Sequence, residues 1–169
     1  MTMTDPKPDA EALYAQLAQQ VQAGLAGTAK LAIVGIYSGG AWLADRLAAL
    51  MGVTDIGYID VSFYRDDYAK KGLHAEVKPS RVPFDVQGAT ILLVDDVLYT
   101  GRTTRAAINT LFDYGRPAKI MLAALVDRGG RQLPVAADFV ACDIALPPNQ
   151  QLVLHRADDG RLSLTVDHA

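Results

Sequence analysis

Two adjacent acids at the end of an apolar run are the residues of this sequence best suited to chemistry. Ile91-Leu92-Leu93-Val94 leads into Asp95-Asp96, and Val97-Leu98-Tyr99-Thr100-Gly101-Arg102-Thr103-Thr104 follows. Such a run reads as a buried strand that delivers two carboxylates to its C-terminal edge. Side chains of neighbouring strand residues point to opposite faces, so one acid can meet a ligand while the other orders the loop or a metal. The next turn offers backbone amides at a helix start, the hydroxyls of Thr100, Thr103 and Thr104, and close backbone approach at Gly101. Arg102 and Arg105 add positive charge. Carboxylates for ribose hydroxyls and amides for a phosphate together suit a sugar phosphate. A solvated Asp pair or a plain Thr N-cap explains one feature each and not the whole tract.

Similar parts recur elsewhere. Gly35-Ile36-Tyr37-Ser38-Gly39-Gly40 is a tight glycine turn between an apolar run and a helix, a form shared with routine connections. Asp127-Arg128-Gly129-Gly130-Arg131 follows another apolar run; its arginines suit an anion, an RNA or a solvated turn. Neither Gly-x4-Gly-Lys-Ser/Thr nor Gly-x-Gly-x-x-Gly occurs, which argues against the nucleoside triphosphatase and dinucleotide sites those patterns build. His74, His155 and His168 lack metal-ligand spacing and receive no catalytic role. Cys142 is the only cysteine, so no internal disulfide forms; with no basic neighbour it reads as a buried, inert thiol. Trp42 reads as packing or interface.

Periodicity supplies the elements that must position these residues. Asp9 caps a helix that runs to Gly24, with Leu13, Leu17 and Val21 on one stripe. Residues 31–36 form a strand buried on both faces, and residues 41–51 a helix with Leu43, Leu47 and Leu50 inward. Residues 56–64 and 90–97 are strands. Residues 103–114 form a helix with Ala107, Ile108, Leu111 and Phe112 inward, stopped by Gly115 and Pro117. Residues 120–126 and 138–142 are strands, and 151–154 pairs with 162–166 across Asp158-Asp159-Gly160. Residues 1–8 read as a flexible tail and 9–169 as a single domain, within which 65–83 is a mobile lid or binding arm. Strand–helix alternation predicts an α/β fold: a mostly parallel twisted sheet flanked by helices, with ligands beyond the strand C-termini.

Bulk properties agree with an ordinary globular protein. Half of the 169 residues are apolar and 21% are charged. No apolar run approaches the roughly 20 residues that span a bilayer. The first residues lack the basic-then-apolar layout of a signal peptide, so a cytoplasmic protein without membrane partners is expected. A net charge of −3 gives no global attraction to RNA.

Residues 91–103 resemble the phosphoribosyl-pyrophosphate (PRPP) signature of type I phosphoribosyltransferases. Tyr64-Arg65-Asp66-Asp67, the tract from Leu93 through Thr103, Gly115-Arg116-Pro117 and Leu125-Val126-Asp127-Arg128-Gly129 resemble the PyrR family. Its members are pyrimidine-operon regulators that are also uracil phosphoribosyltransferases, and the likeness spans nearly the whole chain. The resemblance implies the type I phosphoribosyltransferase fold with a flexible lid loop. It implies conversion of uracil and PRPP to UMP and pyrophosphate, with Mg²⁺ carried by PRPP and met by Asp95 or Asp96 through water. Asp95, Asp96 and Arg65 are then the catalytic set, Arg65 reaching a pyrophosphate oxygen. Tyr99, Thr100, Gly101, Arg102, Thr103 and Thr104 hold the 5′-phosphate, and Ser38, Gly39 and Gly40 hold pyrophosphate. Asp127, Arg128, Phe139 and Ile144 are expected around the base. A pyrimidine-operon leader RNA, met by Arg102, Arg105, Arg116, Arg128 and Arg131, is a further expected partner, as is a second copy in a homodimer or higher homo-oligomer. Two alternatives stand beside this reading: an RNA-binding attenuation regulator with weak or no catalysis, and a purine phosphoribosyltransferase.

The chain departs from the family pattern twice. Members often carry Lys-Thr-Arg-Gly where this chain has Tyr37-Ser38-Gly39-Gly40, so two cations are missing from the pyrophosphate turn. Backbone amides, Mg²⁺ and Arg65 are left to compensate, which makes PRPP binding a firmer expectation than efficient turnover. Regulators often read Gly-His-Arg-Glu-Leu-Pro where this chain has Gly129-Gly130-Arg131-Gln132-Leu133-Pro134. The missing histidine weakens the case for RNA attenuation.

Overall fold

The computed structural model describes residues 8–62 and 80–168. Arg65, its neighbours Tyr64, Asp66 and Asp67, and nearly all of the expected lid lie outside the described residues, as does most of the N-terminal tail.

Helix α1 (Ala10–Leu25) starts where Asp9 accepts the amides of Glu11 and Ala12 at 3.0 and 3.2 Å. Those bonds satisfy donors that the helix itself cannot. The chain continues as β1 (Leu31–Ile36), α2 (Gly39–Met51), β2 (Ile56–Ile59), β3 (Thr90–Leu98), α3 (Arg102–Tyr114), β4 (Lys119–Asp127) and β5 (Phe139–Asp143), then a hairpin of β6 (Gln150–Arg156) and β7 (Leu162–His168). Strands β2-β1-β3-β4-β5 form one parallel sheet in that order, and β6 and β7 pair antiparallel in a separate ribbon.

The sheet is covered on both faces, which is why its central strands read as unbroken apolar runs. Along β3, Leu92 and Val94 enter a core shared with α1, α2 and the ribbon. Ile91 and Leu93 enter the opposite core, with Ala107 and Leu111 of α3. All four strand residues are fully buried, each worth roughly 1.5–3 kcal/mol of transfer free energy. Continued two residues further, the alternation assigns Asp96 to the α2 side and Asp95 to the α3 side.

Strand β1 has β2 on one flank and β3 on the other, so the order reverses between β1 and β3. Ligands of open α/β sheets bind in the crevice at such a switch point. The turns after β1 and β3 therefore face one another across it.

Three expected details differ. Strand β2 stops at Ile59, because the Asp60 amide turns to Ser80 Oγ at 3.1 Å and the Asp60 carboxylate accepts the Ser62 amide at 2.9 Å. Phe112 is 53% exposed; it lies about 100° around α3 from the buried Leu111 and so leaves the packed face. Leu50 is 47% exposed, at the margin of the stripe that buries Leu43 and Leu47.

One polar knot ties the α1–α2 side to the ribbon. Glu11 on α1 accepts both terminal nitrogens of Arg46 on α2, at 2.8 and 3.0 Å. Arg46 also donates to the Gly160 carbonyl at 2.7 Å, in the turn between β6 and β7, while the Leu162 amide donates to Glu11 at 2.7 Å. The Arg46 guanidinium lies 5.0 Å over the Tyr14 ring. The Arg46 bond, opposed by partial burial and aided by the Leu162 amide, lowers the Glu11 carboxyl from 4.5 to about 2. Between those values the unfolded chain binds a proton that the folded chain does not. The stabilisation is therefore complete above pH 4.5 and is lost as pH falls towards about 2. The pair is about one-third exposed, so Arg46→Ala should cost only about 1 kcal/mol near neutrality. It should also reduce the loss of stability on going from pH 5 to pH 3. Urea midpoints for both chains at the three pH values check this; an identical acid loss in the variant refutes it.

Candidate active site

Asp95 and Asp96 stand at the C-terminal end of β3, 4% and 9% exposed. The Asp95 carboxylate accepts the Asp96 amide at 2.8 Å, and the Asp96 carboxylate accepts the Val97 amide at 2.8 Å. Each acid is thus fixed by a local amide. The other Asp96 oxygen faces α2: a Cβ placed on Gly39 would sit 2.4 Å from Asp96 Oδ2. A Cβ on Gly40 would sit 2.3 Å from the Val94 carbonyl oxygen. Glycine at both positions lets the start of α2 lie directly on the strand end.

The starts of α2 and α3 share a feature that α1 lacks. Ser38 precedes α2 and Gly101 precedes α3, and neither supplies a side-chain capping bond. No acid occupies the first turn of either helix. The Ala41 amide meets the Ser38 carbonyl and the Arg102 amide meets Thr100 Oγ1; the other first-turn amides stand at the positive end of the helix dipole, a combination that attracts anions. Asp9 fills that role on α1.

The turn after β1 is braced by aromatic rings. The Tyr37–Ser38 peptide is cis. The Tyr37 amide donates to the Ile59 carbonyl at 3.0 Å. Its ring stacks on Tyr58, with centroids 5.5 Å apart and planes inclined at 30°. Tyr58 donates its hydroxyl to Asp45 of α2. Burial, and then the Asp45 bond, push Tyr58 up to about 12, so it stays a neutral donor. Tyr58 and Asp45 carried no signal of this role in the sequence beyond their places on two neighbouring elements.

The turn after β3 is held from the segment that follows β4. Thr100 Oγ1 accepts the Arg102 amide at 3.2 Å. Gly101, at φ +94°, begins the helix in place of a threonine cap. Thr103 is half-buried, whereas Thr104 is 2% exposed and its hydroxyl has no partner among the described residues. Of the three predicted hydroxyls, Thr103 is the most open. Arg102 donates to Gln132 at 3.0 and 3.1 Å.

Both arginines after β4 are engaged within the protein. Arg128 is buried, with its guanidinium 3.8 Å over the Tyr99 ring, and it donates to the Gln150 carbonyl at 2.9 Å. Arg131 donates to the Val135 carbonyl at 2.7 Å and to the Tyr99 carbonyl, and pairs with Asp127. Positive φ at Gly129 and Gly130 turns the chain so that Arg131 returns to Asp127. That glycine pair, four residues from acid to arginine, was the available signal for an internal pair.

The expected base pocket is not assembled as predicted. Asp127 and Arg128 lie at the sheet edge, but Phe139 opens β5 at the opposite end, in register with Ala123. Its ring packs on Gly24 of α1, where a Cβ would come within 2.5 Å of Phe139 Cε1. Ile144 reaches the edge through its amide, which donates to the Asp127 carbonyl at 2.9 Å, while its side chain is buried in the α1–α2 core. The sequence could not distinguish these core positions from pocket walls, since both are apolar.

A family model described as a phosphoribosyl transferase domain matches residues 4–151. The "Bifunctional protein PyrR" of Ralstonia nicotianae is 54% identical over 160 residues, covering 94% of this chain and 92% of its own length. That of Nitrosococcus oceani is 45% identical and covers 96% of each chain. This chain belongs to the PyrR family. Its fold is the type I phosphoribosyltransferase fold. A hypoxanthine phosphoribosyltransferase of Trypanosoma cruzi superposes with a TM-score of 0.66 at 20% identity, covering 94% of this chain and 91% of its own. One from Staphylococcus aureus gives 0.62 at 22% identity, covering 86% and 77%. These structures share the fold, and their identity is too low to carry the base across.

The PyrR frame gives the two departures a physical reading. A Cβ at position 39 collides with the Asp96 carboxylate, and one at position 130 would lie 2.4 Å from the Tyr99 ring. Gly39→Ala meets only the Asp96 side chain, so it should cost less in melting temperature than Gly40→Ala. It should shift Asp96 and weaken PRPP binding or turnover by roughly 10- to 100-fold. Gly40→Ala meets backbone instead and should cost roughly 1–3 kcal/mol of stability. Melting curves and PRPP titrations of both variants check the contrast; equal melting losses would overturn it.

Proposed function

We propose that this PyrR-family protein is a uracil phosphoribosyltransferase, converting uracil and PRPP to UMP and pyrophosphate. The observation that carries the reading is the pair of helix starts, α2 and α3, whose N-cap residues Ser38 and Gly101 supply no side-chain bond, on either side of Asp95 and Asp96. One anion-seeking end suits pyrophosphate and the other suits the 5′-phosphate, with two carboxylates between them where the ribose would lie.

In this reading a bond forms from a uracil nitrogen to C1 of the ribose, the C1–oxygen bond to pyrophosphate breaks, and the base loses its proton. Positive charge builds on the sugar ring as the leaving group departs. Asp96, beside the start of α2, holds a ribose hydroxyl, and Asp95 orders the strand end on the α3 side. The amides of Ser38, Gly39 and Gly40 meet pyrophosphate, and those of residues 99–104 meet the 5′-phosphate. Fixed donors of this kind stabilise developing charge without reorganising. No side chain need act as a covalent nucleophile.

Among the described residues no group of three or more His, Cys, Asp or Glu is placed to hold a metal. Two neighbouring carboxylates are too few for an all-protein cage but suit a hydrated Mg²⁺ that arrives on pyrophosphate and ribose oxygens. Asp95 or Asp96 would hold that ion through water. When bound it neutralises charge on the leaving group.

An assay of UMP formation from uracil, PRPP and Mg²⁺, with hypoxanthine and guanine alongside, tests the reading. Turnover with uracil alone is expected. Asp96→Asn keeps an acceptor for the Val97 amide and should lower the rate on the order of 100-fold. PRPP binding without any turnover, or turnover confined to a purine, would refute the assignment.

The "Bifunctional" relatives support a second role for this chain, control of pyrimidine-operon expression through leader RNA. Arg128 and Arg131 are engaged within the protein and Arg102 donates to Gln132, so of the predicted set Arg105 and Arg116, both exposed, are the ones most open to RNA. Titration of labelled leader RNA with UMP present should show affinity that falls steeply with salt. No binding at low salt would exclude the role.

A further inference from the structure

We infer that Arg131 is a positioning residue for the 5′-phosphate turn, acting through the carbonyl of Tyr99. The inference rests on the proposed PRPP reading of that turn. Three successive carbonyls at the end of β3 are held by the segment after β4. The Arg128 amide donates to the Leu98 carbonyl at 3.0 Å, and the amides of Gln132 and Leu133 donate to the Thr100 carbonyl at 2.9 and 3.1 Å. Between them, the Tyr99 carbonyl accepts from the Arg131 guanidinium. In a planar trans peptide the N–H points opposite to the C=O. Holding the carbonyls of residues 98–100 therefore turns the amides of Tyr99, Thr100 and Gly101 away from the holding segment. Those are amides assigned to the phosphate.

Arg131 is the one side chain among these four donors; the others are backbone amides. It is itself clamped, with Nε on the Val135 carbonyl at 2.7 Å and the Asp127 carboxylate on another nitrogen. Asp127 is fixed in turn by the Gly129 amide at 2.9 Å. The planar fork serves three acceptors at once, which an ammonium on a flexible stem cannot reproduce. The Tyr99 ring is confined as well, with the Arg128 guanidinium over its face and Gly130 close to its Cε1. Position 131 is thus where a substitution releases the turn without touching a group that meets the ligand.

Kinetics and calorimetric PRPP titration on the full chain test this, with Arg131→Ala and Arg131→Lys. The KM and Kd for PRPP should rise about 10- to 100-fold in Arg131→Ala, with kcat changed much less. Arg131→Lys should show most of that loss while melting like the wild type, and millimolar guanidinium should restore part of the affinity of Arg131→Ala. If Arg131→Ala does not fold, the lysine variant decides. Wild-type PRPP binding with an unchanged KM in the folded variants overturns this inference alone. Failure of the wild type to bind PRPP overturns the reading of the site as well.

Discussion

The contact on which this sheet edge depends is the close approach of α2 to the end of β3. Gly39 and Gly40 make it possible, and Gly35 does the same for α2 against β1. A Cβ at Gly35 would lie 2.6 Å from the Ala41 Cα, and the other two glycines have no more room against Val94 and Asp96. With no side chains between helix and strand, the positive end of α2 comes beside a buried carboxylate. The helix end and the acid attract one another there. The arrangement also sets a conflict, since an anionic ligand at the same helix start would face the acid. A divalent cation carried by the ligand would resolve that conflict, which is why, under the proposed reading, two carboxylates with no metal cage among the described residues form a chemically coherent site.

Much of this was legible in the sequence because burial on both faces leaves an unmistakable trace. Residues 91–98 have no polar member until Asp95, so strand, edge and carboxylates could be read together. The positions of α1, α2 and α3 followed from stripes of Leu and Ala and from Asp9, Gly115 and Pro117. The misreadings share one cause: an apolar residue near an element's end says little about which way it faces. Phe112 and Leu50 were placed inward and face outward; Phe139 was placed at the pocket and lies at the far end of its strand.

The polar network was less legible, because it joins residues distant in sequence. Arg46 meets Glu11 across 35 positions, and Arg131 meets Tyr99 across 32. Composition records such residues only as charge. Counting arginines after β4 suggested cations offered to an anion or RNA, whereas the fold directs Arg128 and Arg131 at carbonyl groups. An arginine within reach of a ligand loop can act by orienting amides rather than by lending its charge.

Orientation also matters at the proposed pyrophosphate turn, which lacks the cations that family members often carry there. The turn holds Tyr37 stacked on Tyr58, and Tyr58 is tied to Asp45 further along α2. The ring pair adds no positive charge, so it cannot replace a cation's attraction for pyrophosphate. What it supplies is fixed geometry: the turn is held at one end by the Ile59 carbonyl and at the other by glycines pressed on β3. The phosphate turn follows the same logic, with carbonyls pinned on one side so that amides face the other. Preorganised amides lose little on binding, and their field acts most strongly where water is excluded. A site built this way favours anions through orientation, and its strength depends on how well neighbouring elements keep the two helix starts in place.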